Sequence, residues 1–198
     1  HVPFDDVDAL KQATTEQTCA VLLEPVEAEG GVIVPHPSYL REVRAWCDEQ
    51  GLLLMLDEVQ TGMGRLGALF GYQRFEIEPD VITLAKALGG GVPIGAILAK
   101  EHASVFVPGD HGSTFGGNPL TCAAARATVQ YLLEHQVPEQ ALHMGARLQK
   151  GLEILASEFD GIVEVRGMGL LLAVQFRDTI AADVVSACNE EGLLLNAV

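Results

Sequence analysis

Short apolar runs alternate with amphipathic stretches along the first half of the chain, which predicts strands separated by helices. The runs at 19–23, 52–56 and 81–85 are too short for helices and are bounded by glycine, proline or charged residues. They are therefore predicted to be buried parallel strands of one sheet. Between the first two runs, apolar residues recur at helical spacing over residues 39–50, and Gly51 ends that segment. This order of strand, helix and strand is typical of an α/β protein.

The pattern changes after residue 135, and this change predicts a second, smaller α+β domain. We assign residues 1–135 to part of a large domain and residues 136–198 to part of a C-terminal domain. In the large domain, a run at 93–99 is predicted to be a buried strand that is antiparallel to its predecessor, because their connection is short. The remaining predicted elements are helices at 5–13, 68–75, 119–135, 138–159 and 180–191, an antiparallel pair at 162–166 and 170–176 with a Gly-Met-Gly turn, and a strand at 193–196. Ser38 is a candidate N-cap of the helix at 39–50.

Composition limits the classes of partner that this protein can have. The chain has 198 residues, of which 27 are acidic and 12 basic, so its formal net charge is −15. This charge argues against nucleic acid and anionic membranes as partners, since both require clustered lysine and arginine. No apolar run reaches the roughly 18 residues that a membrane span requires. We therefore expect a cytoplasmic protein, whose four scattered cysteines are reduced and buried and form no metal site.

Two charged residues, Asp57 and Lys86, follow the second and third predicted strands. The carboxyl ends of parallel strands meet at one edge of a sheet, where open α/β proteins bind ligands, so these side chains are expected to face one pocket. A lysine amine and an acid together suit pyridoxal phosphate, because the amine forms a Schiff base and the acid pairs with the pyridinium nitrogen. Alone, each residue is as readily explained as a solvated lysine or a loop acid.

Three motifs strengthen this interpretation, and they occur in a fixed order. They read DEVQTGMGR at 57–65, AKALGGG at 85–91 and HGSTFGGNP at 111–119. In this order they resemble the class III pyridoxal-phosphate aminotransferases of fold type I, and within that family they are most similar to the acetylornithine aminotransferases. The resemblance covers essentially the whole chain. It implies a mostly parallel sheet from part of the large domain, followed by an incomplete C-terminal domain.

The resemblance assigns roles to residues of the first two motifs. It implies that Lys86 holds pyridoxal 5′-phosphate as a Schiff base and then moves a proton during catalysis. Asp57 is implied to pair with the pyridine nitrogen, Val59 to pack on the cofactor ring and Gln60 to reach its phenolic oxygen. Glu58 is either a hydrogen-bonding residue behind the site or a solvated acid, and the sequence leaves both open.

The third motif implies a second subunit. In the family, its hydroxyl-bearing residues, here Ser113 and Thr114, contact the cofactor phosphate of the neighbouring subunit. We therefore expect a homodimer with shared active sites. Without the motif, a serine and a threonine in a glycine-rich loop are ordinary turn residues. His111 is assigned no role.

Glu29 is the candidate for substrate recognition. The resemblance implies that this glutamate pairs with a C-terminal arginine for one substrate and releases it to bind the carboxylate of 2-oxoglutarate. The surrounding loop departs from the family pattern, because Glu27 and Ala28 replace a glutamine and a glycine. A solvated acidic loop is the alternative.

The resemblance implies a transfer of the terminal amino group of N-acetylornithine to 2-oxoglutarate, a step of arginine biosynthesis. Ornithine δ-aminotransferase and 4-aminobutyrate aminotransferase activities are the alternatives within the family, and Phe115 favours acetylornithine. The chain starts at His1 and ends at Val198 inside a predicted strand, so we expect it to be truncated at both ends. A catalytically silent fragment or a dimerisation module is therefore the alternative from another class.

Overall fold

The computed structural model describes residues 1–198 and contains five helices and two separate sheets. The helices are α1 (Val7–Ala13), α2 (Tyr39–Gln50), α3 (Pro119–Glu134), α4 (Val137–Glu158) and α5 (Ala181–Glu190). The strands are β1 (Ala20–Leu23), β2 (Leu53–Asp57), β3 (Val81–Leu84), β4 (Ala96–Ala99), β5 (Ile162–Met168) and β6 (Leu171–Phe176). Single 3-10 turns cover Gly71–Phe75, Lys86–Gly89 and Glu101–Ala103. None of the helices combines the length and the apolar character that crossing a membrane would need.

The first sheet has the order β1-β2-β3-β4, with the first three strands parallel. Strand β4 pairs antiparallel with β3, as the short connection predicts. In the register, Leu23 lies beside Leu56, and Asp57 lies beside Thr83. The carboxyl ends of the three parallel strands are therefore level with each other. This alignment confirms the predicted α/β class and brings the residues that follow these strands to one edge.

Strand β2 is the centre of the hydrophobic core. Its residues alternate in burial: Leu54 and Leu56 are completely buried, whereas Leu53 and Met55 are only partly buried. Helix α2 packs against this strand and buries Leu40 completely. Each such leucine contributes about 1.5–3 kcal/mol by leaving water. The strand that ends in Asp57 is thus firmly held by its neighbours.

Three details of the predicted large domain are wrong. Ser38 precedes α2, but its side chain makes no capping hydrogen bond and instead lies 2.9 Å from His36 Nδ1. Strand β4 is shorter than predicted and exposed, with Ile97 at 66% exposure, because it is an edge strand. All four cysteines are free, but Cys19 and Cys122 are exposed rather than buried.

The second sheet consists of β5 and β6, which pair antiparallel as predicted and pack against α4. Strand β5 continues through the predicted Gly-Met-Gly turn to Met168, so the turn lies at Gly169–Leu170. The predicted strand at 193–196 does not form, since no third strand pairs with this sheet. The predicted domain boundary falls between α3 and α4 and stays a prediction.

Candidate active site

Three ionisable side chains meet at the carboxyl edge of the first sheet: Glu24 after β1, Asp57 at the end of β2 and Lys86 after β3. The strand register places the first two beside each other, and the charges of both Asp57 and Lys86 act on Glu24. The predicted neighbours Asp57 and Lys86 therefore lie in one electrostatic environment. A site of this kind can hold a ligand that carries both a cationic and an electrophilic group.

Asp57 is the partly buried acid of this edge. Its Oδ1 accepts a hydrogen bond of 2.9 Å from the backbone N–H of Val59, which fixes the carboxylate at the start of the following loop. None of the ion pairs in the structure involves Asp57. A partly desolvated carboxylate without a cationic partner is suited to a ligand that brings its own positive charge.

Lys86 lies in a strained turn rather than at the strand end that the sequence predicts. Strand β3 ends at Leu84, and Lys86 begins the 3-10 turn that runs to Gly89. Its backbone has φ 44°, in the left-handed region that costs a residue with a side chain about 1–2 kcal/mol. The turn holds this geometry through a hydrogen bond of 2.9 Å from Leu88 N to Ala85 O. Strain that is maintained in this way is common at functional sites, and the side chain remains exposed.

Glu24 is a member of this edge that the sequence interpretation missed. Burial raises the pKa of its carboxyl, and the nearby carboxylates of Asp57 and Glu27 add to this effect. The backbone N–H of Ala28 and the charge of Lys86 act in the opposite direction. The rule that identified Asp57, an acid directly after a buried parallel strand, would also have identified Glu24.

The structure brings together two candidate residues that are distant in sequence, Glu29 and Gln60. Gln60 Nε2 donates a hydrogen bond of 3.0 Å to Glu29 Oε1. Glu29 is exposed, and Gln60 is partly buried three residues after Asp57. One side-chain hydrogen bond therefore connects Glu29, the candidate substrate residue, to Gln60 in the loop that follows Asp57. The predicted roles of Val59, Gln60 and Glu29 towards ligands stay predictions.

Ser113 and Thr114 lie in an exposed loop without helix or strand. Ser113 Oγ accepts a hydrogen bond of 3.0 Å from Gly116 N, which is an ordinary turn contact. His111 packs edge-to-face on the ring of Phe106. No hydrogen bond joins Ser113 or Thr114 to Asp57 or Lys86, so their role at a neighbouring subunit stays a prediction.

Glu58 is a buried hydrogen-bonding residue and not a solvated acid. Only 1% of it is exposed. Its carboxylate accepts hydrogen bonds from Thr61 Oγ1 at 2.6 Å, Gly71 N at 2.8 Å and Tyr72 N at 2.7 Å. These bonds close the glycine-rich loop that follows Asp57. Burial nevertheless raises the pKa of Glu58 above its ordinary value, although the three donors oppose the shift.

Comparisons with known proteins agree with this arrangement. The family model described as aminotransferase class-III matches residues 3–198. The chain is similar to the acetylornithine aminotransferase of Gloeobacter violaceus, with 52% identity over 196 residues, which is 98% of this chain and 49% of that protein. The chain thus spans about half the length of the curated relatives that it matches.

Solved structures of ornithine aminotransferases have the same fold over the length of this chain. That of Plasmodium falciparum ornithine delta-aminotransferase is 40% identical with a TM-score of 0.94, covering 100% of this chain and 53% of that one. That of Toxoplasma gondii, described with partial occupancy of PLP at its active site, is 39% identical with a TM-score of 0.93. The match covers 98% of this chain and 47% of the Toxoplasma gondii chain. The sheet and the smaller α+β unit therefore correspond to part of a fold type I transferase.

Proposed function

The chain belongs to the class III aminotransferase family, and from this premise we propose that the whole protein transfers the terminal amino group of N-acetylornithine to 2-oxoglutarate. The family is dependent on pyridoxal phosphate. The observation that carries the proposal is the placement of Asp57 and Lys86 after adjacent parallel strands. The chemistry of these groups fits the cofactor, because a partly buried carboxylate without an ion-pair partner and an accessible primary amine lie at the same edge of the sheet.

Bound pyridoxal phosphate would supply an electron sink for the negative charge that develops on the substrate carbon. Asp57 would stabilise the positive charge of the ring nitrogen, which would keep that sink effective. Lys86 Nζ would bind the cofactor at rest; once the substrate amine has displaced it, the free lysine amine would take the proton from the carbon that bears the amino group and deliver it to the cofactor. Val59 would pack on the cofactor ring, and Gln60 would bind its phenolic oxygen.

Glu29 is the proposed substrate residue, and its hydrogen bond to Gln60 supports that role. The bond holds an exposed carboxylate beside a residue of the cofactor site. An acetylated donor and an unacetylated one differ by a positive charge at the far end, so an acidic side chain here affects the choice between them. The curated relatives support N-acetylornithine, whereas the solved structures include both ornithine and acetylornithine aminotransferases.

Steady-state assays of the whole protein with N-acetylornithine, ornithine and 4-aminobutyrate separate these donors. We expect the highest kcat/KM for N-acetylornithine with 2-oxoglutarate as acceptor. A higher kcat/KM for ornithine or 4-aminobutyrate would assign the protein to another activity of the same family. Absence of transamination with all three donors would refute the proposed reaction.

We also propose that the protein is a homodimer in which Ser113 and Thr114 bind the cofactor phosphate of the neighbouring subunit. Both residues are exposed, and neither forms a hydrogen bond with Asp57 or Lys86 of its own chain. This supports a role for them in the site of the neighbouring subunit. A symmetric dimer in which each subunit contributes residues to the site of the other has an isologous interface.

Mixing two inactive variants tests this shared site. One variant carries Lys86→Ala, and the other carries Ser113→Ala and Thr114→Ala. If subunits exchange at random, half of the dimers are hybrids, and one site of each hybrid is intact, so about a quarter of the wild-type activity returns. No recovery after unfolding and refolding of the mixture, with hybrids verified by differently tagged chains, would contradict the shared site.

A further inference from the structure

The loop that carries Glu29 is a closed turn, and its backbone is well defined. Glu27 N donates to Ile33 O at 3.0 Å, and Ile33 N donates to Glu27 O at 2.8 Å. Within the turn, Ala28 O accepts hydrogen bonds from Gly31 N at 3.1 Å and from the next residue, Val32, at 3.0 Å. Any displacement of this turn therefore moves Glu29 with it.

This turn has a positive φ angle at two consecutive positions, of which the second is strained. Gly31 has φ 114°, and Val32 has φ 56°. Glycine accepts such a backbone readily, but a β-branched side chain strongly disfavours the left-handed region. A valine keeps this conformation only where surrounding contacts enforce it. Val32 is buried, so packing supplies part of that enforcement.

Two charged side chains hold the turn from outside. Glu24 Oε2 accepts a hydrogen bond of 3.1 Å from Ala28 N. Arg166, which lies on β5 of the other sheet, donates from Nε to Gly31 O at 2.9 Å. A Cβ atom at Gly31 would lie 3.3 Å from Arg166 Nη2, so the guanidinium approaches closely because this residue is a glycine.

Arg166 is itself fixed by its own sheet. Its Nη1 donates to Glu164 Oε2 at 2.7 Å and to Gln175, which lies on β6. Only 20% of the arginine side chain is exposed, and its hydrogen bond to Gly31 O is partly buried, whereas the contacts with Glu164 and Gln175 lie at the surface. A planar guanidinium with several fixed partners is pre-organised, and a lysine cannot reproduce this geometry.

We propose that Arg166 is a positioning residue that holds Glu29 in place for the amino donor, through its hydrogen bond to Gly31. This inference rests on the proposed function, since it takes Glu29 as the residue that meets the substrate. It also connects the C-terminal sheet to donor binding, although no residue of that sheet carries a role in the cofactor chemistry. The arginine acts on donor binding and not on proton transfer at Lys86.

The test compares the wild-type whole protein with Arg166→Met. This change retains the apolar stem but removes the hydrogen bond to Gly31. The lost contact is a charge-assisted hydrogen bond, so we expect the KM for N-acetylornithine to rise about tenfold while kcat changes less than about twofold. Hydrogen–deuterium exchange should be faster in the peptide that covers Glu27–Ile33. Absorbance of the bound cofactor should be unchanged.

Arg177→Met is the matched control, because Arg177 is an exposed arginine that follows β6 and makes no side-chain hydrogen bond or ion pair. An unchanged KM and unchanged loop exchange in Arg166→Met would overturn the proposal, as would equal effects in both variants. If Arg166→Met does not fold, Arg166→Lys decides by the same measurements. If the wild type shows no transamination, the proposed function fails, and the exchange measurement still tests the contact with the loop.

Discussion

At the scale of single residues, Asp57 and Glu58 show how two adjacent acids acquire different roles. Successive side chains of a strand point to opposite faces, so consecutive residues at its end enter different surroundings. Asp57 is partly exposed at the edge of the sheet, whereas Glu58 is 1% exposed and accepts three hydrogen bonds. The carboxylate of Asp57 is therefore accessible to a ligand, whereas that of Glu58 holds the loop that follows the strand.

We predict that Glu58→Ala destabilises the protein by about 3 kcal/mol, because it leaves the buried N–H group of Gly71 and the partly buried N–H group of Tyr72 without an acceptor. Urea unfolding measures this loss. Glu49→Ala is the control, since Glu49 is exposed on α2 and its replacement should change stability by less than about 0.5 kcal/mol. Equal stability of the wild type and Glu58→Ala would show that the loop does not depend on this carboxylate.

The position of Asp57 at a strand end could be predicted from the sequence, because the end of a strand follows from the end of its apolar run; Lys86 lies two residues beyond the end of β3, in a turn that the run does not predict. The strained backbone of Lys86 could not be predicted, since φ depends on the turn that begins after Leu84. The contact between Arg166 and Gly31 joins residues that are 135 positions apart, and a single sequence carries no signal of such a pair.

At the scale of elements, helix α4 packs closely against the turn between β5 and β6. A Cβ atom added at Gly145 would lie within van der Waals overlap of the backbone of Gly169, which cannot move as a side chain can. Gly151 lies on the same helix with open space around it. Gly145 is therefore required for the close approach of the turn, whereas Gly151 has room for a side chain.

We predict opposite effects of alanine at these two positions. Gly145→Ala should destabilise the protein by about 3 kcal/mol, because it separates α4 from the β5–β6 turn. Gly151→Ala should stabilise it by about 0.5–1 kcal/mol through helix propensity alone. Thermal unfolding of both variants measures these changes. A neutral Gly145→Ala would show that the helix and the turn are not packed as described.

Asp80 connects three elements at the opposite edge of the first sheet. Its carboxylate accepts hydrogen bonds from Arg44 of α2 and from Leu54 N of β2, both at 2.8 Å, and it contacts His102 after β4 at 3.1 Å. Burial alone would raise the pKa of Asp80, but the hydrogen bonds from Leu54 and Arg44 outweigh it and lower the pKa. Because the folded-state pKa is lowered, the resulting stability is present above the ordinary aspartate pKa and is lost as the pH falls through the lowered value.

We predict that Asp80→Asn costs about 3 kcal/mol at pH 7 and that its difference from the wild type shrinks as the pH falls below about 4. Denaturant unfolding at several pH values gives this difference. Asp48→Asn is the control, because Asp48 also pairs with Arg44 but is exposed, and its loss should cost less than about 1 kcal/mol. A difference that grows on acidification would contradict the sign of the pKa shift.

Most helices and strands could be predicted, because each has an apolar pattern of its own. The exposed β4 and the missing strand at 193–196 could not, because exposure depends on whether a neighbouring strand or helix covers the segment. An apolar run in the sequence does not indicate whether a neighbouring strand or helix covers it. Leu194 illustrates this, since it is 82% exposed.

At the scale of the whole molecule, the two sheets meet at the loops of the candidate site. Arg166 contacts the turn that carries Glu29, and Leu170 N donates a hydrogen bond of 2.9 Å to Arg65 O in the loop after Asp57. The proposed division of the chain at residues 135 and 136 would therefore join a cofactor-binding part to a part that supports substrate loops. The change in the pattern of apolar and polar residues after residue 135 predicted this division, whereas the contacts between the two parts could not be predicted from it.

The central claim is that Lys86 binds pyridoxal phosphate, and chemical reduction followed by peptide mass spectrometry tests it most directly. The whole protein is incubated with the cofactor, reduced with borohydride and digested. We predict a near-visible absorbance band before reduction and a cofactor adduct on Lys86 afterwards, both absent in Lys86→Ala. Both should persist in Lys100→Ala, whose lysine directly follows β4. An adduct on another lysine, or an unchanged band in Lys86→Ala, would contradict the account.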